Sequence, residues 1–345
     1  MHIEGAAVRI LIAALATSLA LGQTTKVFHL TQNQSNQDGE EIATVVRVVA
    51  GIDQLSIDQD SRILTANAPE ANINEAIWLV QQLDIPVKGQ YSGVHEYRST
   101  ADPDSIARVF YLRNTPGPRE LQEIITAMRS IFDIQRIFVY NPLHAIAVHG
   151  HQGQITLGAW LVDQLDLPEG SPAPEPHELQ VSGDKLLAHV FELTYAQTPA
   201  QLQEISTLIR STADVWRMFA ISDRRALAMR AEPERVALAA WLIKQLDLPE
   251  SPADSTPRAY TFAGDPHADD VQDQVRVFYL TRAQSDEDRA KIATAVRSNT
   301  RIRRLFIYNS IGALALRGNA EDVATAEKVI RQSEEALAGA QGSSR

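Results

Sequence analysis

Apolar and polar residues alternate as in a strand at Val27-Phe28-His29-Leu30. The same four-residue pattern returns at Val109-Phe110-Tyr111-Leu112, Val190-Phe191-Glu192-Leu193 and Val277-Phe278-Tyr279-Leu280. After each strand the period lengthens to that of a helix, with Leu121, Ile124, Ile125 and Met128 forming the apolar stripe of the second occurrence. Ser35, Gly117, Thr198 and Ser285 stand at the N-cap of these helices, followed at the third helical position by Asp38, Glu120, Gln201 and Asp288. Pro118 and Pro199 occupy the first helical position, where a missing N–H costs nothing. Two short strands follow, as at 136–141 and 145–149, around turns that contain Asn141-Pro142, Ser222-Asp223 and Asn309-Ser310. A final helix carries Trp78, Trp160 or Trp241 and closes on Leu-Asp-x-Pro at 83–86, 165–168 and 246–249, where proline cannot continue it.

The pattern therefore predicts an α+β chain of four tandem βαββα units, each a three-stranded sheet with two helices on one face. The units span 23–86, 108–168, 188–249 and 275–335. Stretches rich in Pro, Ser, Asp and Gly read as linkers at 87–107, 169–187 and 250–274, and 336–345 reads as a flexible tail.

Strand phase predicts which faces are free. In the first unit Leu55 and Ile57 are apolar while Ser56 and Asp58 are polar, so the former pair faces the helices. The same phase in the second unit sends Ile137 and Val139 inward and leaves Tyr111, Phe138 and Tyr140 on the open face. Its counterparts are Phe219 and Ile221 with Glu192 in the third unit, and Tyr279, Phe306 and Tyr308 in the fourth. The first unit has only His29, Ser56 and Asp58 there. The open faces of units two to four are thus expected to form an interaction surface, and that of unit one to be wet. Trp78 falls about 140° from Ile73, the centre of the final helix's core face. Trp78, Trp160 and Trp241 are accordingly expected at contacts between units, covered by the linkers behind them; the fourth unit has Lys328 at that position. Arg47, Arg129, Arg210 and Arg297 recur near the C-terminus of the first helix, where a cation is favoured.

Composition narrows the functional classes. The apolar run 10–21, after Arg9 and before Gly22, reads as a signal peptide over 1–22, so the chain is expected in the periplasm or outside the cell. No cysteine is present, and the net charge is −11, which speaks against nucleic acid as a partner. His144, His149 and His151 cluster in sequence without a carboxylate to complete a metal set, and read as surface histidines. Gly150-His151-Gln152-Gly153 has no flanking basic residues and reads as the opening of a helix rather than a nucleic-acid clamp. No nucleophile-elbow, phosphate-loop or zinc-protease motif occurs. Neither catalysis, a cofactor nor a metal is expected.

The third strand and its exit in the last unit, Leu314-Ala315-Leu316-Arg317-Gly318-Asn319-Ala320-Glu321-Asp322, with Ile146-Ala147-Val148-His149-Gly150 as its counterpart, resembles the strand, glycine turn and helix start of the periplasmic N-domains of bacterial secretins. The resemblance covers nearly all of the chain outside the linkers. It implies a ring-building or protein-docking role, without the membrane barrel that secretins carry. The expected function is an exported, non-enzymatic assembly module that docks to itself or to a protein of a secretion system or the envelope. The alternative is a monomer that binds a peptide or glycan on the open faces of units two and four.

Overall fold

The computed structural model describes residues 22–32, 35–87, 91, 95–100, 102–115, 117–168, 171, 177–181, 184–250, 254–261 and 273–342. The expected signal peptide lies outside them except for Gly22. The described chain is α+β, with eight α-helices and four small antiparallel sheets.

The first sheet and its helices comprise β1 (Gln23–His29), α1 (Asn36–Val49), β2 (Gln54–Asp58), β3 (Ile63–Pro69) and α2 (Glu70–Leu83), with strand order β1-β3-β2. The second group is β4 (His95–Arg98), β5 (Ser105–Tyr111), α3 (Pro118–Phe132), β6 (Arg136–Tyr140), β7 (Ala145–His151) and α4 (Gln152–Leu165), ordered β4-β5-β7-β6. The third is β8 (His177–Val181), β9 (Asp184–Glu192), α5 (Pro199–Ala213), β10 (Arg217–Ile221), β11 (Ala226–Ala231) and α6 (Pro233–Leu246), ordered β8-β9-β11-β10. The fourth is β12 (Arg258–Thr261), β13 (Gln274–Tyr279), α7 (Asp286–Asn299), β14 (Arg304–Tyr308), β15 (Ala313–Gly318) and α8 (Ala320–Gly342), ordered β12-β13-β15-β14. These groups are called units one to four below.

Two expectations are corrected. Only the first sheet is three-stranded, because the segments read as linkers each contribute a short strand to the edge of the sheet that follows. Four or five residues in a Pro- and Gly-rich context carry too little alternation to register in the sequence; they become strands because a neighbouring edge offers unpaired N–H and C=O groups. The second correction concerns the end of the chain. Helix α8 continues past 335 to Gly342, through alanines that favour helix, and Leu337 packs on the fourth core.

The helix starts follow the capping chemistry. Ser35, Thr198 and Ser285 accept the backbone N–H of Asp38, Gln201 and Asp288, while Gly117 offers no side chain for the purpose. The recurrent arginines reach across to the hairpin rather than to their own helix end: Arg129 donates to the Ile137 carbonyl at 2.6 Å, Arg210 to Met218 at 2.7 Å and Arg297 to Leu305 at 3.0 Å. The aspartate of Leu-Asp-x-Pro closes the loop after the first long strand. Asp84 accepts the N–H groups of Thr31 and Gln32, both at 2.7 Å. Asp166 accepts those of Arg113 and Asn114, and Asp247 those of Thr194, Tyr195 and Ala196. Glu334 does the same for Arg282 in the last unit. A carboxylate collecting several backbone donors is a strong, charge-assisted arrangement.

The core is organised in a way that strand phase alone does not reveal. The cluster under the first sheet includes Ile42, Val46, Leu64 and Leu79, but also Val109, Tyr140, Ala145 and Ala147 from the second sheet. The cluster of unit two takes in Val190, Ile221, Ala226 and Ala228 from unit three. That of unit three takes in Val277, Tyr279, Tyr308 and Ala315 from unit four. The cluster of unit four has no members from another unit.

Candidate interaction surfaces

Each junction places the first helix of one unit against the outer sheet face of the next. Helix α1 packs on β6, α3 on β10 and α5 on β14. The predicted phase holds: Ile137 and Val139 lie in the core of their own unit, and the residues alternating with them point away from it. The outward residues are not free, however. Tyr140, Tyr308, Ile221 and Tyr279 are 2%, 2%, 3% and 6% exposed, within the core of the preceding unit. Tyr111, Phe138, Phe219 and Phe306 are half-buried against the same cores. The expected interaction face is thus occupied within the chain. Burial raises the pKa of the Tyr111, Tyr140, Tyr279 and Tyr308 hydroxyls, and the charges of Asp38, Asp84 and Glu41 add to the effect at Tyr140.

Two of the tryptophans meet a ring on the strand added to the following sheet. Trp78 stands 6.0 Å from the Tyr97 ring of β4, and Trp241 stands 5.4 Å from the Tyr260 ring of β12. Trp160 packs on the second core, edge-on to Phe132 at 6.4 Å.

Two polar devices recur at every junction, and both escaped sequence reasoning. A glutamate on the first helix accepts the N–H at the hairpin turn of the next unit: Glu41 from Asn141 at 2.9 Å, Glu123 from Ser222 at 2.9 Å and Glu204 from Asn309 at 3.2 Å. Burial raises the Glu123 carboxyl pKa despite the Ser222 donor. At the far end of the helix, a basic pair meets an acid. Arg217 and Arg230 reach Asp133 at 2.5 and 3.5 Å, and Arg304 and Arg317 reach Asp214 at 2.6 and 2.9 Å. Asp133 and Asp214 adopt the left-handed conformation that ends α3 and α5, at φ 58° and 55°. At the first junction the corresponding residue is Gly51, at φ 67°, and the acid comes instead from Glu75 on α2. There Arg136 donates to the Val49 carbonyl at 2.9 Å, satisfying an end of α1, and His149 takes the place of the second arginine.

His149 Nδ1 lies 2.8 Å from Glu75 Oε1, and its Nε2 lies 2.9 Å from Ser105 Oγ. A serine, a histidine and a buried acid in that order have the connectivity of a hydrolytic relay. Their setting is structural: Arg230 and Arg317 fill the position of His149 at the next junctions, and the Ser105 N–H is already donated to the Asp102 carbonyl. His151 caps α4 through the N–H of Gln154, so Gly150-His151-Gln152-Gly153 does open a helix. His144 ends the turn after β6 at φ 47°. Among the described residues no group of three His, Asp or Glu side chains is placed to hold a metal ion. A cavity of 590 Å³ opens between units two and three, lined by acids and bases together, including Glu120, Glu123, Asp223, Arg224 and Arg225.

The two ends of the series differ from the junctions. The outer face of the first sheet carries Thr25, Asn67 and Gln54 in one row, with Asn67 Nδ2 donating to Gln54 at 2.6 Å and Gln23 at 2.9 Å. The same face also exposes Val27, opposite Thr65. On α7 the glutamate position holds Lys291, which pairs with Glu287 of its own helix at 2.9 Å. Arg301 stands where Asp133 and Asp214 stand, and α7 ends in extended Thr300. Trp216, 69% exposed at the turn into β10, is a surface aromatic that periodicity could not single out, since it lies between elements.

The chain is similar to the N-terminal domains of secretins. Solved structures similar to it include Aeromonas hydrophila ExeD, at 16% identity over 66% of this chain and 41% of that one, with a TM-score of 0.16. The N-terminal domain of the secretin XcpQ from Pseudomonas aeruginosa matches at 16% identity over 42% of this chain and 62% of that one, with a TM-score of 0.18. A pilotin–secretin AspS-GspD complex matches at 11% identity over 86% and 57%, with a TM-score of 0.16. The chain spans less than two thirds of the length of these structures, and likenesses at such TM-scores carry no argument about function. No family model and no curated protein matches the chain.

Proposed function

We propose that the chain is an exported, non-enzymatic interaction module, periplasmic or secreted, in which four βαββα units with the boundaries 23–86, 108–168, 188–249 and 275–335 form a pre-assembled stack. Its partner is a different protein, of a secretion system or the cell envelope. The observation that carries this reading is the contrast between the junctions and the ends. Three aromatic sheet faces are each seated on the preceding unit, whereas the first sheet face carries Thr25, Asn67 and Gln54 with a single exposed apolar side chain, Val27, and the last helix face carries Lys291 and Arg301. A head-to-tail interface propagates without limit unless its terminal surfaces are altered, and terminal repeats with polar outer faces are how stacked repeats stop. Self-association through the repeat interface is therefore blocked at both ends. The residues that would line a peptide or glycan site on the outer faces of units two and four are buried or half-buried against the preceding unit. Among the described residues no helix is long and apolar enough to cross a membrane.

Light scattering on the exported, purified chain tests the proposal. A single-chain mass at micromolar concentration is expected. A ring or a concentration-dependent series of oligomers that Lys291→Glu leaves unchanged would contradict it.

A further inference from the structure

Three of the four sheets are completed at the same edge by an added antiparallel strand: β4 on β5, β8 on β9 and β12 on β13. The matching edge in the first sheet is the outer edge of β1, and among the described residues nothing pairs with it. The added strands among the described residues are all engaged in the sheets that follow them. An open edge is a template for another strand.

The charges around β1 specify what that strand carries. In unit two, Glu96 of β4 lies opposite Arg108 and accepts from its Nε at 2.9 Å, while Arg98 donates to Gln152, the first residue of α4, at 2.9 Å. Lys26 occupies in β1 the position of Arg108 in β5, and Glu70 begins α2 where Gln152 begins α4. Both Lys26 and Glu70 are exposed, and neither has an ion-pair partner among the described residues. A lysine alone on an edge would serve to repel stray strands. Lys26 and Glu70 together instead reproduce, as full charges, the two positions that hold β4 in place.

We propose that the outer edge of β1 receives, by antiparallel strand addition, an extended segment of another protein carrying an acidic residue opposite Lys26 and a basic residue two positions on, beside Glu70. The inference rests on the interaction-module reading and names the kind of partner. It fails independently of that reading, since a chain with capped ends remains a single-chain module whether or not β1 takes a strand.

The test uses the full exported chain and a blocked peptide with the sequence of residues 94–99, Val-His-Glu-Tyr-Arg-Ser, followed by amide hydrogen exchange at Thr25 and Val27, whose N–H groups point away from β3. Without peptide these amides are expected to exchange faster than those of β5. With peptide they slow, and Lys26→Glu combined with Glu70→Lys weakens the effect about fivefold. A peptide with its Glu changed to Lys and its Arg to Glu restores protection to that double variant and protects the unaltered chain poorly. Protection of Thr25 and Val27 before any peptide is added would mean that the edge is filled by the chain itself or a second copy, and would overturn the proposal. So would an absence of added protection, or protection indifferent to the charge swap.

Discussion

The outer faces of the first and second sheets are built on corresponding strands, yet where the second carries Tyr111, Phe138 and Tyr140 the first carries His29, Ser56 and Asp58. The difference lies in what precedes each sheet. The second has α1 against it, so Phe138 and Tyr140 finish a core that unit one does not close alone. No described unit packs on the first, where Asn67 donates to Gln54 and Gln23. The same contrast appears between α5 and α7. Glu204 on α5 accepts a hydrogen bond from the next hairpin turn, whereas Lys291 on α7 turns back to its own helix. Aromatic residues on a sheet face are thus no sign of an external ligand in a repeat protein until the neighbouring repeat has been accounted for.

The sharpest way to break the comparison is to truncate the junction aromatics. Tyr140→Ala removes a side chain that is 2% exposed and should cost about 3–4 kcal/mol in chemical denaturation. Ser56→Ala, on the corresponding strand of unit one, should change stability by less than about 0.5 kcal/mol. Equal effects would show that the two faces are alike. Next in size is Arg317→Ala at the third junction. Arg317 is 8% exposed and holds Asp214 and Asp273, both at 2.9 Å, and its loss should cost about 1–3 kcal/mol by removing a buried guanidinium from Asp273, from the Thr212 carbonyl and from an Asp214 that keeps only Arg304. Asp166→Ala opens the loop after β5 by stranding two backbone N–H groups and the Thr115 hydroxyl, and about 1–3 kcal/mol is expected, with faster amide exchange at 113 and 114.

A smaller effect follows from the buried phenols. Their pKa is raised in the folded state, so the folded chain keeps the proton past the pH at which the unfolded chain releases it. Stability is full below about pH 10 and falls as pH rises further. Tyr140→Phe should lessen that fall in melts taken between neutral and alkaline pH. An unchanged slope would place the phenol in water. Trp216→Ala should be the smallest, within about 0.5 kcal/mol, because the ring is 69% exposed.

Much of this architecture was legible in the sequence, because repeated spacing reports local structure. The strand alternation at Val27-Phe28-His29-Leu30, the caps at Ser35, Thr198 and Ser285, and the inward phase of Ile137 and Val139 all depend on neighbours within a few residues. The destination of Tyr140 was not legible, since its partners lie on a helix about a hundred residues earlier and alternation gives a direction without an occupant. Nor were β4, β8 and β12, which are too short to show a period and exist through pairing. The aspartate in Leu-Asp-x-Pro was visible as a motif, but its role as a clamp on the N–H groups of Thr31 and Gln32 needed three dimensions. The Glu41, Glu123 and Glu204 series could have been found by aligning the units column by column and noting that the fourth breaks it with Lys291.

The central claim is that the aromatic face of each later unit is seated on the preceding helix of the same chain. The chain contains no cysteine, so a single introduced pair reports without interference. Glu41→Cys with Asn141→Cys replaces side chains that touch at 3.0 Å, and a short bis-maleimide can bridge them. The account predicts rapid cross-linking within one chain, with a yield independent of protein concentration and abolished by denaturant. Cross-links that form only between chains, or only as concentration rises, would contradict it.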